Sequence, residues 1–186
     1  MLVNTFCAAV NGLEVTTVKV EVSMTRGVQF HLTGLADTAV RESYDRIRAA
    51  LQNNGLKMPM MDITANLSPA DIKKEGSGYD LPLAIGILAA SGKVDGSRLN
   101  DYMMVGELGL DGRLQPIRGA LPIAIRARAE HFKGLIVPKQ NIREAAVVNQ
   151  IEVYGMETLI DVANFFNGSS EIAPTVIDTR KEFYEQ

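Results

Sequence analysis

A chain of 186 residues, 46 % apolar and 22 % charged, has room for one packed core, and no apolar run reaches membrane-span length, so neither a disordered chain nor a transmembrane helix is expected. The net charge of −3 argues against a generally basic nucleic-acid binder. One cysteine, Cys7, excludes an internal disulfide, and the N-terminus lacks a basic leader, so the cytoplasm is the expected compartment.

Residues 2 to 10 are mostly apolar and β-prone, and Asn11-Gly12 is a hairpin signal. Val18, Val20, Val22 and Met24 then alternate with Lys19, Glu21 and Ser23, the pattern of a half-buried strand. After Arg26-Gly27, Val28, Phe30 and Leu32 alternate as a third strand, so the opening reads as a β-meander. Between 36 and 53 the period changes. Ala36, Val40, Tyr44, Ile47 and Leu51 line one helix face, and Asn53-Asn54-Gly55 ends it. Met61, Ile63, Ala65 and Leu67 alternate as a further strand. Asp80 is placed to cap the next helix and Pro82 fits its first turn. Leu81 to Ala90 leaves no polar face, which predicts a central, buried helix closed by Gly92.

A strand is expected over 102 to 108, with Asp111-Gly112 making a second tight hairpin. A helix follows over about 119 to 132, then a short buried strand, GLIVP, at 134 to 138. Helices at 141 to 149 and 156 to 166 flank a strand at 151 to 154. The order predicts an α/β or α+β domain over 1 to 168: a mixed sheet with helices packed on it. Residues 169 to 186 are polar and read as a linker.

Few residues carry chemistry. In KKEGSGYDLP (73 to 82), Ser77 reads as a turn residue and Lys73 and Lys74 as solvated charges. The rival reading makes Ser77 a nucleophile with a desolvated lysine as its base. Gly86 to Val94 nearly matches a phosphate loop, but one residue too many separates the glycines, and Val94 replaces the metal-binding hydroxyl. GELGLDG (106 to 112) opens no helix, so it is not a nucleotide loop either. His31, His131 and Cys7 are isolated, so no metal ligand set is expected. Arg41, Arg46 and Arg48 have acidic residues nearby on the same helix and read as a solvated face. Arg113, Arg118, Arg126 and Arg128 have fewer acidic neighbours. They are the candidate contacts for nucleic acid or a partner.

Three stretches go beyond generic signals: HLTGLADTAVRESYDRIRAAL (31 to 51), ITANLSPADIKKEGSGYDLPLAIGILAASG (63 to 92) and VGELGLDGRLQPIRGALPIAIRARA (105 to 129). Together they resemble the N-terminal domain of the ComM/YifB family of magnesium-chelatase-like AAA+ ATPases, over nearly the whole chain. That domain is similar in fold to the Lon proteolytic domain, the ribosomal protein S5 domain 2-like fold, and RadA carries a related one. The resemblance implies a bacterial protein with a C-terminal ATPase segment, which would hold ATP and Mg²⁺. It also implies a homo-hexameric ring and a role in DNA branch migration during recombination and natural transformation. No cofactor is expected in this chain, which ends about where that segment would begin, and no membrane contact.

Lon-type proteases carry a K-D-G-P-S-A-G motif and a P-I-G-G-L-K motif. The matching runs here are Lys74 to Asp80 and Pro116 to Leu121. The nucleophile position then falls on Gly78 and the lysine position on Leu121. The resemblance therefore implies a non-catalytic scaffold or partner-binding domain. The alternatives are a divergent Ser-Lys peptidase using Ser77, or a magnesium chelatase subunit.

Overall fold

A computed structural model of the chain describes residues 1 to 178. The alternating stretch at the N-terminus forms a long hairpin of β1 (Leu2–Asn11) and β2 (Glu14–Thr25), antiparallel in the register Thr5↔Val20 and Cys7↔Val18. Gly12, at φ 64°, supplies the left-handed turn that a residue with a side chain resists. Val18, Val20 and Val22 are fully buried, as their period requires.

The β-meander is overturned. The third strand, β3 (Phe30–Thr33), does not pair with β2. A later strand, β4 (Asp62–Ser68), lies between them, antiparallel to β2 and parallel to β3. Length and burial give the reason. The seven residues of β4 match β2 throughout, setting Leu67 beside Val20, Ala65 beside Val22 and Ile63 beside Met24. The four-residue β3 offers less. The helices between β3 and β4 form the crossover that a parallel pair needs. The expected helix over 36 to 53 is in fact two, α1 (Thr38–Arg41) and α2 (Ser43–Asn53), meeting at Glu42.

The apolar run becomes α3 (Asp80–Ala90), buried from Asp80 to Ala89. It packs on β1 and β2, with α2 and α6 (Leu159–Phe166) beside it. Asp80 does not cap it: the N-cap is Tyr79, and Asp80 is its first residue. The strand expected over 102 to 108 is broken into β5 (Tyr102–Met104) and β6 (Glu107–Leu108). At the break Gly106 N–H donates to Gly78 O and Gly106 O accepts from Leu81 N–H, which ties the chain to the start of α3. The Asp111-Gly112 hairpin joins β6 to β7 (Leu114–Gln115) as a separate two-stranded sheet.

After α4 (Ala120–Ala129), strands β8 (Gly134–Pro138) and β9 (Glu152–Met156) continue the main sheet in parallel. Between them the helix expected at 141 to 149 shortens to α5 (Ile142–Ala146). The seven-stranded sheet runs β3-β4-β2-β1-β5-β8-β9. Both faces are covered. Thr5 Oγ1 donates to Pro82 O in α3, whereas its neighbour Phe6 packs against Phe132, just after α4, with ring centroids 5.4 Å apart. Beyond α6, Thr175 N–H donates to Val153 O, and Ile172 and Ile177 pack against the core. Residues 179 to 186 of the expected linker lie outside the described residues.

Candidate functional site

The KKEGSGYDLP turn sits where α1, α3, β1 and the Gly106 break converge. Its backbone is held at both ends. Lys74 N–H donates to Leu35 O, and Lys74 O accepts from Asp37 N–H. Asp37 divides its carboxylate, capping α1 through Val40 N–H at 2.9 Å and accepting Gly76 N–H at 3.2 Å. Gly76, at φ 85°, turns the chain, and Ser77 O accepts from Asp80 N–H to start α3.

The two lysines have opposite fates. Lys73 is exposed and pairs with Glu75 at 3.0 Å. Lys74 is fully buried, which corrects its reading as a solvated charge. Its Nζ donates to Gly34 O at 2.7 Å and to Pro69 O. Burial pulls its ammonium below the ordinary lysine value, with the Asp71 charge opposing. A lysine held by two carbonyl oxygens is used as a donor, and no hydrogen bond joins either lysine to the half-buried Ser77 among the described residues. Ser77 therefore has no base in place.

Gly78 has space beside it. A Cβ there would meet only Ile117 Cγ2, at 3.7 Å. Its carbonyl accepts from Gly106 N–H and from the Cys7 thiol at 3.8 Å. Burial pushes that thiol up to about 12, so it stays protonated and unreactive at neutral pH. Leu121 lies in the first turn of α4, partly exposed, with its N–H donating to Glu144 Oε1 at 3.2 Å.

The strongest electrostatic feature was not read from the sequence. Asp80 is fully buried and takes three donors: Arg46 Nε at 2.7 Å, Arg46 Nη2 at 3.0 Å and Leu108 N–H at 3.0 Å. Arg46 also donates to Ala39 O at 2.6 Å. The expected surface pair with Glu42 exists only as a looser 3.7 Å contact. This fork joins α2, α3 and the β6–β7 hairpin. Burial pushes the Asp80 carboxyl up to about 6, against the pull of Arg46 and Leu108, while the hydrogen bond to Asp80 pushes Arg46 above its ordinary value. The signal was present: an aspartate at the head of an all-apolar helix must be buried, and a buried charge needs a partner.

The four candidate arginines do not act as one set. Arg113 lies 3.7 Å from Asp111 and lines an open groove of about 440 Å³ with Gln115, Lys139 and Glu157. Arg126 is held by Glu130 at 2.5 Å and reaches Thr17 of β2. Arg118 and Arg128 are exposed, at opposite ends of α4. The near-miss phosphate loop begins inside α3, with Gly86 to Ala90 in the helix and Gly86 pressed against Val22, so its first half forms no loop that could cradle a phosphate. Among the described residues, no three His, Cys, Asp or Glu side chains group to hold a metal ion, and no helix is long and apolar enough to cross a membrane.

A family model described as subunit ChlI of Mg-chelatase matches residues 20–141. Competence protein ComM of Haemophilus influenzae is 42 % identical over 172 residues, which is 92 % of this chain and 33 % of that protein. The uncharacterised protein YifB of Escherichia coli is 41 % identical over 139 residues, 74 % of this chain and 27 % of that protein. Lon protease 2 of Bacillus subtilis is more distant, 27 % identical over 201 aligned positions covering 93 % of this chain and 36 % of that protein. The chain thus spans about a third of the length of the curated relatives it matches. The seven-stranded mixed sheet covered by helices agrees with a Lon-like α+β domain. This chain belongs to the Mg-chelatase-like (subunit ChlI) family, with ComM and YifB among its relatives.

Proposed function

We propose that this domain is a non-catalytic, Lon-like scaffold and partner-binding module of a ComM-type AAA+ ATPase. The observation that carries the reading is the turn itself. The position matched to the Lon nucleophile is Gly78, the position matched to its lysine is Leu121, and the nearby Ser77 has no base in place. A fold that keeps the turn and core helix but lacks both reacting groups is suited to holding and positioning. In the full-length protein, ATP and Mg²⁺ bind in an ATPase segment outside this chain, the assembly is a cytoplasmic homo-hexamer, and ATP hydrolysis serves DNA branch migration in recombination or natural transformation. Arg118, exposed just before α4, and Arg128, exposed near its C-terminal end, are the best placed of the candidate arginines for a DNA contact.

A serine-reactive phosphonate probe tests the non-catalytic part. The expected result is no labelling; labelling lost in Ser77→Ala would establish the peptidase instead. DNA binding is tested with labelled duplex across a salt series, because phosphate contacts strengthen as salt falls. Undetectable affinity at low salt would remove the DNA role of this domain. The family description favours one further reading, a subunit of a magnesium-inserting complex. Neighbouring genes for tetrapyrrole synthesis would support it, and competence or recombination genes would not.

A further inference from the structure

Among the described residues the sheet ends at β3, which pairs with β4 alone. The phase of that pairing is set by Ile63 N–H donating to Gln29 O at 2.8 Å. In a parallel ladder this turns the backbone groups of His31 and Thr33 toward β4 and leaves those of Phe30 and Leu32 facing the open edge. Short as it is, β3 lacks two of the usual guards of an edge strand: its sequence, FHLT, has no proline and no lysine.

Near the start of β3 lies a groove of about 440 Å³, with Val28, two residues before the strand, Tyr44, whose ring packs on Phe30, and Leu56, Met58 and Met60 in its apolar lining. Val28 is 74 % exposed and Met60 84 %. Arg48 and Lys57 line the same groove, which has no acidic residue, and neither side chain has an ion pair or hydrogen bond among the described residues. Among the described residues, an unpaired strand edge lies close to an apolar trough that holds two cations without an ion pair.

We infer that this edge is a docking site for an extended peptide whose apolar side chains alternate with acidic ones. The strand adds to β3 through the free groups of Phe30 and Leu32. Side chains on one of its faces enter the trough, and its carboxylates meet Arg48 and Lys57. The backbone requirement selects an extended chain over a helix, and the two free cations select acidic sequence. A single-stranded nucleic acid fits less well: Tyr44, the aromatic ring in the trough, is already packed against Phe30, with tilted rings 4.7 Å apart. The inference stands apart from the DNA role and from the protease question.

The test uses three labelled heptapeptides that alternate valine with glutamate, with serine or with lysine, read by fluorescence anisotropy at low salt. The glutamate peptide is expected to bind tightest, about tenfold tighter than the lysine peptide, a difference of about 1.4 kcal/mol. Arg48→Glu and Lys57→Glu, both at exposed positions, are expected to erase that preference. N-methylation of alternate peptide residues is expected to abolish binding without altering the protein, because it removes the strand-pairing donors. No binding of any peptide up to about 1 mM would overturn the inference, on the scale where specific recognition begins. So would equal binding of the glutamate and lysine peptides, or unchanged binding after N-methylation. Displacement of the glutamate peptide by a thymidine oligonucleotide, or a dimer broken by Arg48→Glu, would assign the groove to nucleic acid or to a second copy and would also overturn it.

Discussion

Replacing Asp80 by alanine removes the acceptor that joins α2, α3 and the β6–β7 hairpin. Its carboxylate is fully buried and takes two bonds from Arg46 and one from Leu108 N–H. Removing one partner of a buried ion pair costs about 3–5 kcal/mol, because the other charge is left uncompensated. Here the guanidinium is 17 % exposed and keeps Glu42 at 3.7 Å, so part of its charge is still met and the lower end applies. The orphaned Leu108 N–H adds about 1 kcal/mol. A total of about 3–4 kcal/mol lowers Tm by roughly 6–16 °C in a chain of this size. Thermal unfolding at pH 7.5, followed by circular dichroism, measures it. Arg46→Ala and the double variant complete a cycle in which the coupling should exceed about 1 kcal/mol. An Asp80→Ala protein melting within about 3 °C of the parent would refute the view that this pair holds the turn, given the same conversion.

The same carboxyl sets a pH dependence. Burial raises it from 3.8 to about 6 in the folded protein, so between those values the folded state holds a proton that the unfolded chain has released. Its contribution is full below 3.8 and is lost as pH rises through about 6, by up to about 3 kcal/mol. Urea midpoints of the parent and Asp80→Asn should therefore diverge, the parent losing stability relative to the variant from pH 4 to 7; a constant difference would contradict this. Gly78→Ser should fold with Tm within about 2 °C of the parent, since the new Cβ meets only Ile117 at 3.7 Å. A large loss would mean that the turn cannot hold a nucleophile for steric reasons. Cys7, buried and with its thiol pushed up to about 12, should react with a thiol reagent only after urea unfolds the chain; rapid reaction of the native protein would show that β1 opens locally.

Much of the candidate site was legible because the resemblance rests on local runs. The match of Gly78 and Leu121 to the missing dyad needs only residue order. The glycine turn could be read the same way, since its conformation depends on the residues inside it. Lys74 and Lys73 could not be told apart, since adjacent residues of a loop share every local signal. Lys74 is buried because Gly34, forty positions back, brings its carbonyl oxygen to the same point as that of Pro69, five positions back. Arg46 had an acidic residue four positions away and still turns to Asp80, because a fully buried carboxylate needs the charge more than an exposed one does.

The two hairpins, the buried face of β2 and the central place of α3 follow from residue order alone. Turn chemistry and the alternation of apolar residues are properties of neighbours in the chain. Which strand lies beside which depends on contacts between distant segments. Periodicity states that one face is buried but not against what, so β4 could enter between β2 and β3 and leave β3 at the edge. The same long-range closure split the strand at Gly106, buried Lys74 and joined Arg46 to Asp80. Those contacts form between residues tens of positions apart, where burial in a shared core, not local propensity, sets the free energy.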